Sequence, residues 1–415
     1  MSKSPFNPRA FFESLGDALD DAWRERNYDE RVFPELAVEA LTREPPSGHL
    51  DAEAFLRWAI TTRALPPQQD LRTDFGEPPV TVYRGPRFYI DVLFWLDGTT
   101  SIHEHAFSGA FHVLQGSSLH SAQRFEVRRE VTQQFELGDL TLEHAELLER
   151  GATRPIRSRD LIHSLFHLDR PSVSVVVRTY QEPRALPQRK FCRPHVAIDT
   201  NFEEPRLTRR LQMLGALAKV KQGAYLGACA ELLQSLDLTA TFLVLGQANL
   251  LIGQTRALGL LLAEARTRHG PDVDLLARVL EEERKQLALV LQRRRVKDAD
   301  ERFFLALLMN LPSREPILRF VHARWPAEDP VEKSLALLAR VATPVVDPGA
   351  LALTTVELGS HGAAYLAARL RGTPEDRAVS ELAALGGFPD SERERLVQLD
   401  LQLRTTHAYS ALFAG

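Results

Sequence analysis

His103 and His105 stand two residues apart in the run Gly98-Thr-Thr-Ser-Ile-His-Glu-His105, a third histidine follows at His163, and a tyrosine at Tyr180. Strand side chains alternate with period 2, so His103 and His105 project from one face if this run is extended. Neutral imidazoles suit iron, zinc, copper and nickel, and three of them leave positions open for water, dioxygen or a substrate. His163, on a second strand lying alongside, would complete a three-histidine metal site. On spacing alone the plainer alternative, histidines satisfied within a core, stays open. His167 shares a strand face with His163 but lies about 13 Å farther along. It is expected to line a substrate pocket rather than to ligate.

Elements able to position these residues are visible between about 80 and 180. Short β-rich runs occur at Val80–Tyr83, Arg87–Trp95, Phe111–Leu114, Arg124–Val127, Leu161–Phe166 and Ser172–Tyr180, with turn signals at Asp97-Gly98, Gln115-Gly116, Gly138-Asp139 and Asp169-Arg-Pro171. Such strands with regular turns predict a small antiparallel sandwich or barrel. Residues 1–75 read as a helical arm, with Phe11, Phe12, Leu15, Ala18 and Leu19 at amphipathic spacing and a second helix over Ala52–Thr62. Pro183, Pro187 and Pro194, then Glu203-Glu-Pro205, mark 183–205 as a linker. From 206 to 415 the chain reads as an all-α domain of about ten helices. Asp329-Pro330 and Thr373-Pro374 mark helix starts, and Gly372 marks a stop.

Composition narrows the function classes. The 415-residue chain carries a net charge of −4, which gives no basic field suited to nucleic acid. Its two cysteines, Cys192 and Cys229, exclude a disulfide framework and fit a reducing cytoplasm. The first residues lack the apolar core of a signal peptide, as expected of a cytosolic protein. The longest uncharged run, Leu238–Thr255, contains Gln247, Asn249 and Gln254, so a buried helix is expected there rather than a membrane span.

Ser101-Ile-His-Glu-His105 and Leu114-Gln-Gly116 resemble the first cupin motif, and more specifically the thiol dioxygenases of the cysteine dioxygenase type. Ordinary cupins carry a glutamate ligand seven residues before the closing glycine. Here that position is Gly109, as in the three-histidine enzymes, and the glycine implies no cysteine–tyrosine crosslink. The family places its third histidine seventeen residues before a catalytic tyrosine, as His163 stands to Tyr180. The family's Ser-x-His-x-Tyr run is here Val176-Val-Arg178-Thr-Tyr180, with serine and histidine replaced, so its proton relay and its thiol substrates do not carry over directly.

The resemblance spans about residues 80–182 and implies a cupin barrel there; with the helical portions outside it, the chain reads as an α+β multidomain protein. An antiparallel cupin-type β-barrel (76–182) would be flanked by the helical arm and the C-terminal all-α domain. It further implies Fe(II) on His103, His105 and His163, with a small polar substrate and dioxygen as partners. Tyr180 could donate a proton, or be a buried tyrosine satisfied by backbone. Arg178 could pair with a substrate carboxylate, or sit in a salt bridge at the barrel mouth. Arg84, then Arg87, is nearest to the family's carboxylate-binding arginine. His112 reads as a core histidine, and Glu104 should face away from the ligands. Two rivals remain: a metal-cupin isomerase or hydrolase, and a scaffold in which the helical region binds a protein partner or a second copy.

Overall fold

The computed structural model describes residues 6–69, 71, 75–96, 100–180, 188–252, 256–341, 360–384, 390–405 and 409–413. The Asp97-Gly98 turn, Pro183 and Pro187 lie outside these residues. Three α-helices open the chain: α1 (Pro8–Arg24), α2 (Phe33–Arg43) and α3 (Ala52–Thr61). Asn7 caps α1, its Oδ1 accepting from Arg9 N at 3.1 Å, and Asp51 caps α3 by accepting from Ala54 N at 2.8 Å. Phe11, Phe12, Leu15 and Leu19 are buried along α1, whereas Ala18 faces solvent.

Eleven strands follow among the described residues: β1 (Pro79–Arg84), β2 (Phe88–Trp95), β3 (Ile102–His103), β4 (Gly109–Gln115), β5 (Ser118–Thr132), β6 (Phe135–Leu148), β7 (Thr153–Ile156), β8 (Ile162–His167), β9 (Ser172–Thr179), β10 (Arg189–Cys192) and β11 (Val196–Asp199). They form an antiparallel five-stranded sheet, β1-β2-β9-β4-β7, and a closed barrel, β10-β11-β6-β5-β8-β3. The chain is thus the α+β, barrel-plus-helices architecture expected. One difference concerns 183–205. The β10–β11 hairpin lies inside that proline-marked stretch, with Pro194 in its turn, and it closes the barrel by pairing with β3 and β6.

Both faces of the five-stranded sheet carry apolar packing. Phe88, Ile90, Val92 and Phe94 of β2, with Val173, Val175 and Val177 of β9, pack outward against Phe12, Phe33 and Phe55 of the helices. The alternate residues Leu93, Trp95, Phe111, Val113 and Val176 pack inward. This period-2 division directs the next inward residue of β9, Arg178, toward the site.

By residue contacts the chain divides into two compact units, 1–279 and 280–415, so the helices from Pro205 to His269 belong with the strands. The helix Leu238–Ile252 is core, with Phe242, Val244, Leu245 and Asn249 buried. No described helix is long and apolar enough to cross a membrane. In the second unit Asp329 caps the helix Pro330–Val341, accepting from Val331 N and Glu332 N, and Gly372 (φ +90°) follows the helix Ser360–Leu370 as its stop.

Candidate metal centre

β3 is only two residues long, yet it is held on both sides. His103 pairs directly with His163 of β8 and with Lys190 of β10. That register carries His163 from a distant part of the chain to His103, and His105 follows just beyond the strand. The three rings form a near-equilateral group, with centroids 4.6 Å (His103–His105), 4.8 Å (His103–His163) and 4.9 Å (His105–His163) apart. One ring nitrogen from each lies within 4.8 Å of the others, and all three residues are buried.

Hydrogen bonds fix which nitrogen each ring presents. His103 Nδ1 donates to the Ser101 carbonyl at 2.8 Å, leaving Nε2 buried with no hydrogen-bond partner among the described residues. His105 Nε2 and His163 Nε2 face each other at 2.8 Å. A proton on one of them closes that gap, and a divalent cation would take the proton's place. Two ligand nitrogens at right angles around an ion with bonds of about 2.1 Å stand about 3.0 Å apart. Burial holds His103 down at about 4. Burial, His103 and Arg178 hold His105 well below the ordinary imidazole value, and burial with three neighbouring histidines does the same for His163. The rings are therefore neutral at physiological pH, the form that binds a metal. An orphaned Nε2 facing two others that share a single displaceable proton fits a divalent ion with nitrogen preference.

The walls are aromatic: Phe75 lies edge-on to His103 at 5.1 Å, Phe107 lies 4.6 Å from His105, and Phe111 lies 6.1 Å from His163. Arg178 is a cation whose charge acts on His105. Its guanidinium carbon stands 4.2 Å from the Phe107 ring centre and 5.1 Å from that of Tyr89. Gly109 lies beside Arg178 in the β4–β9 register, and a Cβ there would meet the Val177 carbonyl oxygen at 1.9 Å. No side chain fits at that position, so it can supply no ligand to the group.

The other expected residues are placed as follows. Tyr180 donates its hydroxyl to the Gly85 carbonyl at 3.0 Å and accepts from Arg84 Nε at 3.3 Å, so these two meet at the β1–β2 turn. His167 bonds through Nδ1 with Ser118 Oγ at 2.9 Å and stacks on Trp95 at 4.6 Å. Glu104 is buried and pairs with Arg159 at 3.5 Å; burial raises its carboxyl pKa, against the pull of Arg189 and Arg159. His112 is a core histidine on the outward face of β4, held by Thr153 and Ser47. Sequence reasoning did not connect His120 and Glu146 to the site. His120 Nε2 lies 3.0 Å from His163 Nδ1, and His120 Nδ1 lies 3.1 Å from Glu146 Oε1. The available signal was a histidine at the same strand parity as Ala122, the residue opposite His163.

Fold and site define an antiparallel barrel protein with an interior three-histidine group. No protein-family model matches the chain, and no curated protein does either. Among solved structures, the chain is similar to hydroquinone 1,2-dioxygenase from Sphingomonas sp. TTNP3 with 4-hydroxybenzoate bound, at 9% identity and a TM-score of 0.20. That match covers 26% of this chain and 68% of the other. A second similarity is to hydroquinone 1,2-dioxygenase PnpCD in complex with Cd2+ and 4-hydroxybenzonitrile, at 15% identity and a TM-score of 0.20, covering 25% of this chain and 63% of that one.

Proposed function

We propose that the barrel is a non-haem, Fe(II)-dependent oxygenase acting on a small polar substrate. The observation that carries this reading is the set of three neutral, buried imidazoles presenting ring nitrogens within 4.8 Å of one another. Bound iron would supply open coordination positions at which substrate and dioxygen meet. The remaining work belongs to the chain. Phe75, Phe107 and Phe111 exclude water from the ligand rings, which strengthens every polar interaction made beside them.

Arg178, braced over two aromatic faces, would receive a substrate carboxylate in a two-pronged hydrogen bond. Tyr180 positions Arg84 at the rim, where the pair offers a second contact for the substrate's polar end. His167 forms part of the interior wall under Trp95. The two free cysteines support a reducing, cytoplasmic setting.

The test is metal content of anaerobically purified protein beside a His103→Ala variant, followed by oxygen uptake with small acids and thiols. Near-stoichiometric iron that is lost in the variant, with substrate-dependent oxygen uptake, is the expected result. Metal without oxygen consumption would move the reading to a metal-cupin isomerase or hydrolase. No metal in either protein after reconstitution would leave a scaffold.

A further inference from the structure

A chain of polar groups runs away from His163, and nothing in the three-ligand reading uses it. On the barrel, His120 of β5 stands directly opposite Glu146 of β6, and two residues on, Ala122 stands opposite His163 of β8. Strand parity therefore turns His120 to the same face as the position facing His163, making the two histidines diagonal neighbours. Their rings meet nearly edge-on, with centroids 5.1 Å apart. Glu146 is in turn gripped by Arg154 of β7: Nε donates to Oε1 at 2.8 Å, and Nη2 donates to Oε2. β7 belongs to the five-stranded sheet, so this ion pair ties the two sheets together behind the histidines.

The order of protons follows from the acceptor at its end. Hydrogen bonds from His120 and Arg154 hold the Glu146 carboxyl down at about 2, so it is an acceptor only. His120 Nδ1 therefore donates to Glu146, and its Nε2 is placed to accept from His163. His163 must donate to it from Nδ1, and its Nε2 is left as a bare lone pair turned toward His103 and His105. The other tautomer of His163 would put a proton where a metal belongs.

We propose that His120 and Glu146 are positioning residues of the metal centre: the carboxylate, acting through His120, locks His163 in the ligating tautomer and makes it a stronger electron donor than a ligand hydrogen-bonded to a neutral carbonyl. His103 is such a ligand, since its Nδ1 donates to the Ser101 carbonyl. The three ligands are thus unequal, and the asymmetry is set from outside the ligand shell. This inference rests on the three-histidine reading above.

The experiment uses the full chain with Co(II) as the probe, its affinity measured by chelator competition and its environment by visible absorption. Five proteins are compared: wild type, Glu146→Gln, His120→Ala, His103→Ala and, as a surface control, His322→Ala. Glu146→Gln and His120→Ala are expected to weaken Co(II) binding by about 10–100-fold and to shift the absorption bands, with melting temperatures near wild type. Imidazole added at millimolar concentration should restore affinity to His120→Ala, because it refills the cavity with the same donor and acceptor. A merely structural role would not give that rescue. Wild-type affinity and an unshifted spectrum in Glu146→Gln overturn the proposal even if His120→Ala fails to fold. If wild type takes up no Co(II), or His103→Ala binds it as tightly, the three-histidine reading itself falls, and this inference with it.

Discussion

His112 sits on β4 with both ring nitrogens engaged, Nδ1 by Thr153 Oγ1 at 2.8 Å and Nε2 by Ser47 Oγ at 2.9 Å. Burial lowers it from 6.5 to about 4. Below pH 6.5 the unfolded chain binds a proton here that the folded chain refuses until about pH 4. Stability present above pH 6.5 is therefore lost as pH falls through that window, by about 1.4 kcal/mol per pH unit for one such histidine. His112→Gln should flatten the acid decline of the barrel's urea-unfolding free energy by that slope between pH 6 and 4.5; parallel declines would rule out the account. His103 and His105 were legible at this scale because the i, i+2 spacing and the strand-rich surroundings are local facts, whereas His163 was singled out by its seventeen-residue spacing to Tyr180 in the resemblance. His120 and Glu146 were not. They meet through a register set across a bulged β5–β6 pairing, whose irregularities at Ala122/Gln123, Val127/Arg129 and Glu130/Thr132 no spacing rule reveals.

Among the elements, the strands with a continuous apolar core face are the ones the sequence announces. β2 and β9 are buried along almost their whole length and read plainly as Val- and Phe-rich runs. β6 is buried at Phe135–Gly138 and largely partly exposed or exposed beyond, so its pattern never settles into alternation. β10 and β11 are four residues each and surrounded by prolines, so their identity comes from the neighbours β3 and β6 rather than from propensity. The α1–α3 layer covers the outward face of β2, where fully buried Phe88 packs 5.3 Å from Phe33 and 5.4 Å from Tyr83. Phe88→Ala should cost about 3–5 kcal/mol of stability while leaving bound metal unchanged, since Phe88 and the ligands lie on opposite sides of the sheet. A matched denaturation curve and metal assay would check both halves, and loss of metal in a folded variant would refute the separation.

For the whole molecule, the division at 279/280 falls inside the helix Asp272–Arg295, whose first turns bury Val273, Leu276 and Val279 in the first unit. A chain ending at Val279 is expected to retain the metal stoichiometry of the full protein, read by mass spectrometry of purified material. A folded truncation without metal would show that the second unit is needed for the site. The seating of His163 has a consequence for how the protein comes into being. It follows His105 by 58 residues, and it joins the group only when β8 pairs with both β3 and β5. β3 in turn is flanked by β10, later still in the chain. A polypeptide emerging from the ribosome therefore cannot assemble the three-histidine group until nearly two hundred residues have been made. A metal ion would then meet a finished barrel whose three ring nitrogens are already in place rather than moulded around whichever ion arrives first.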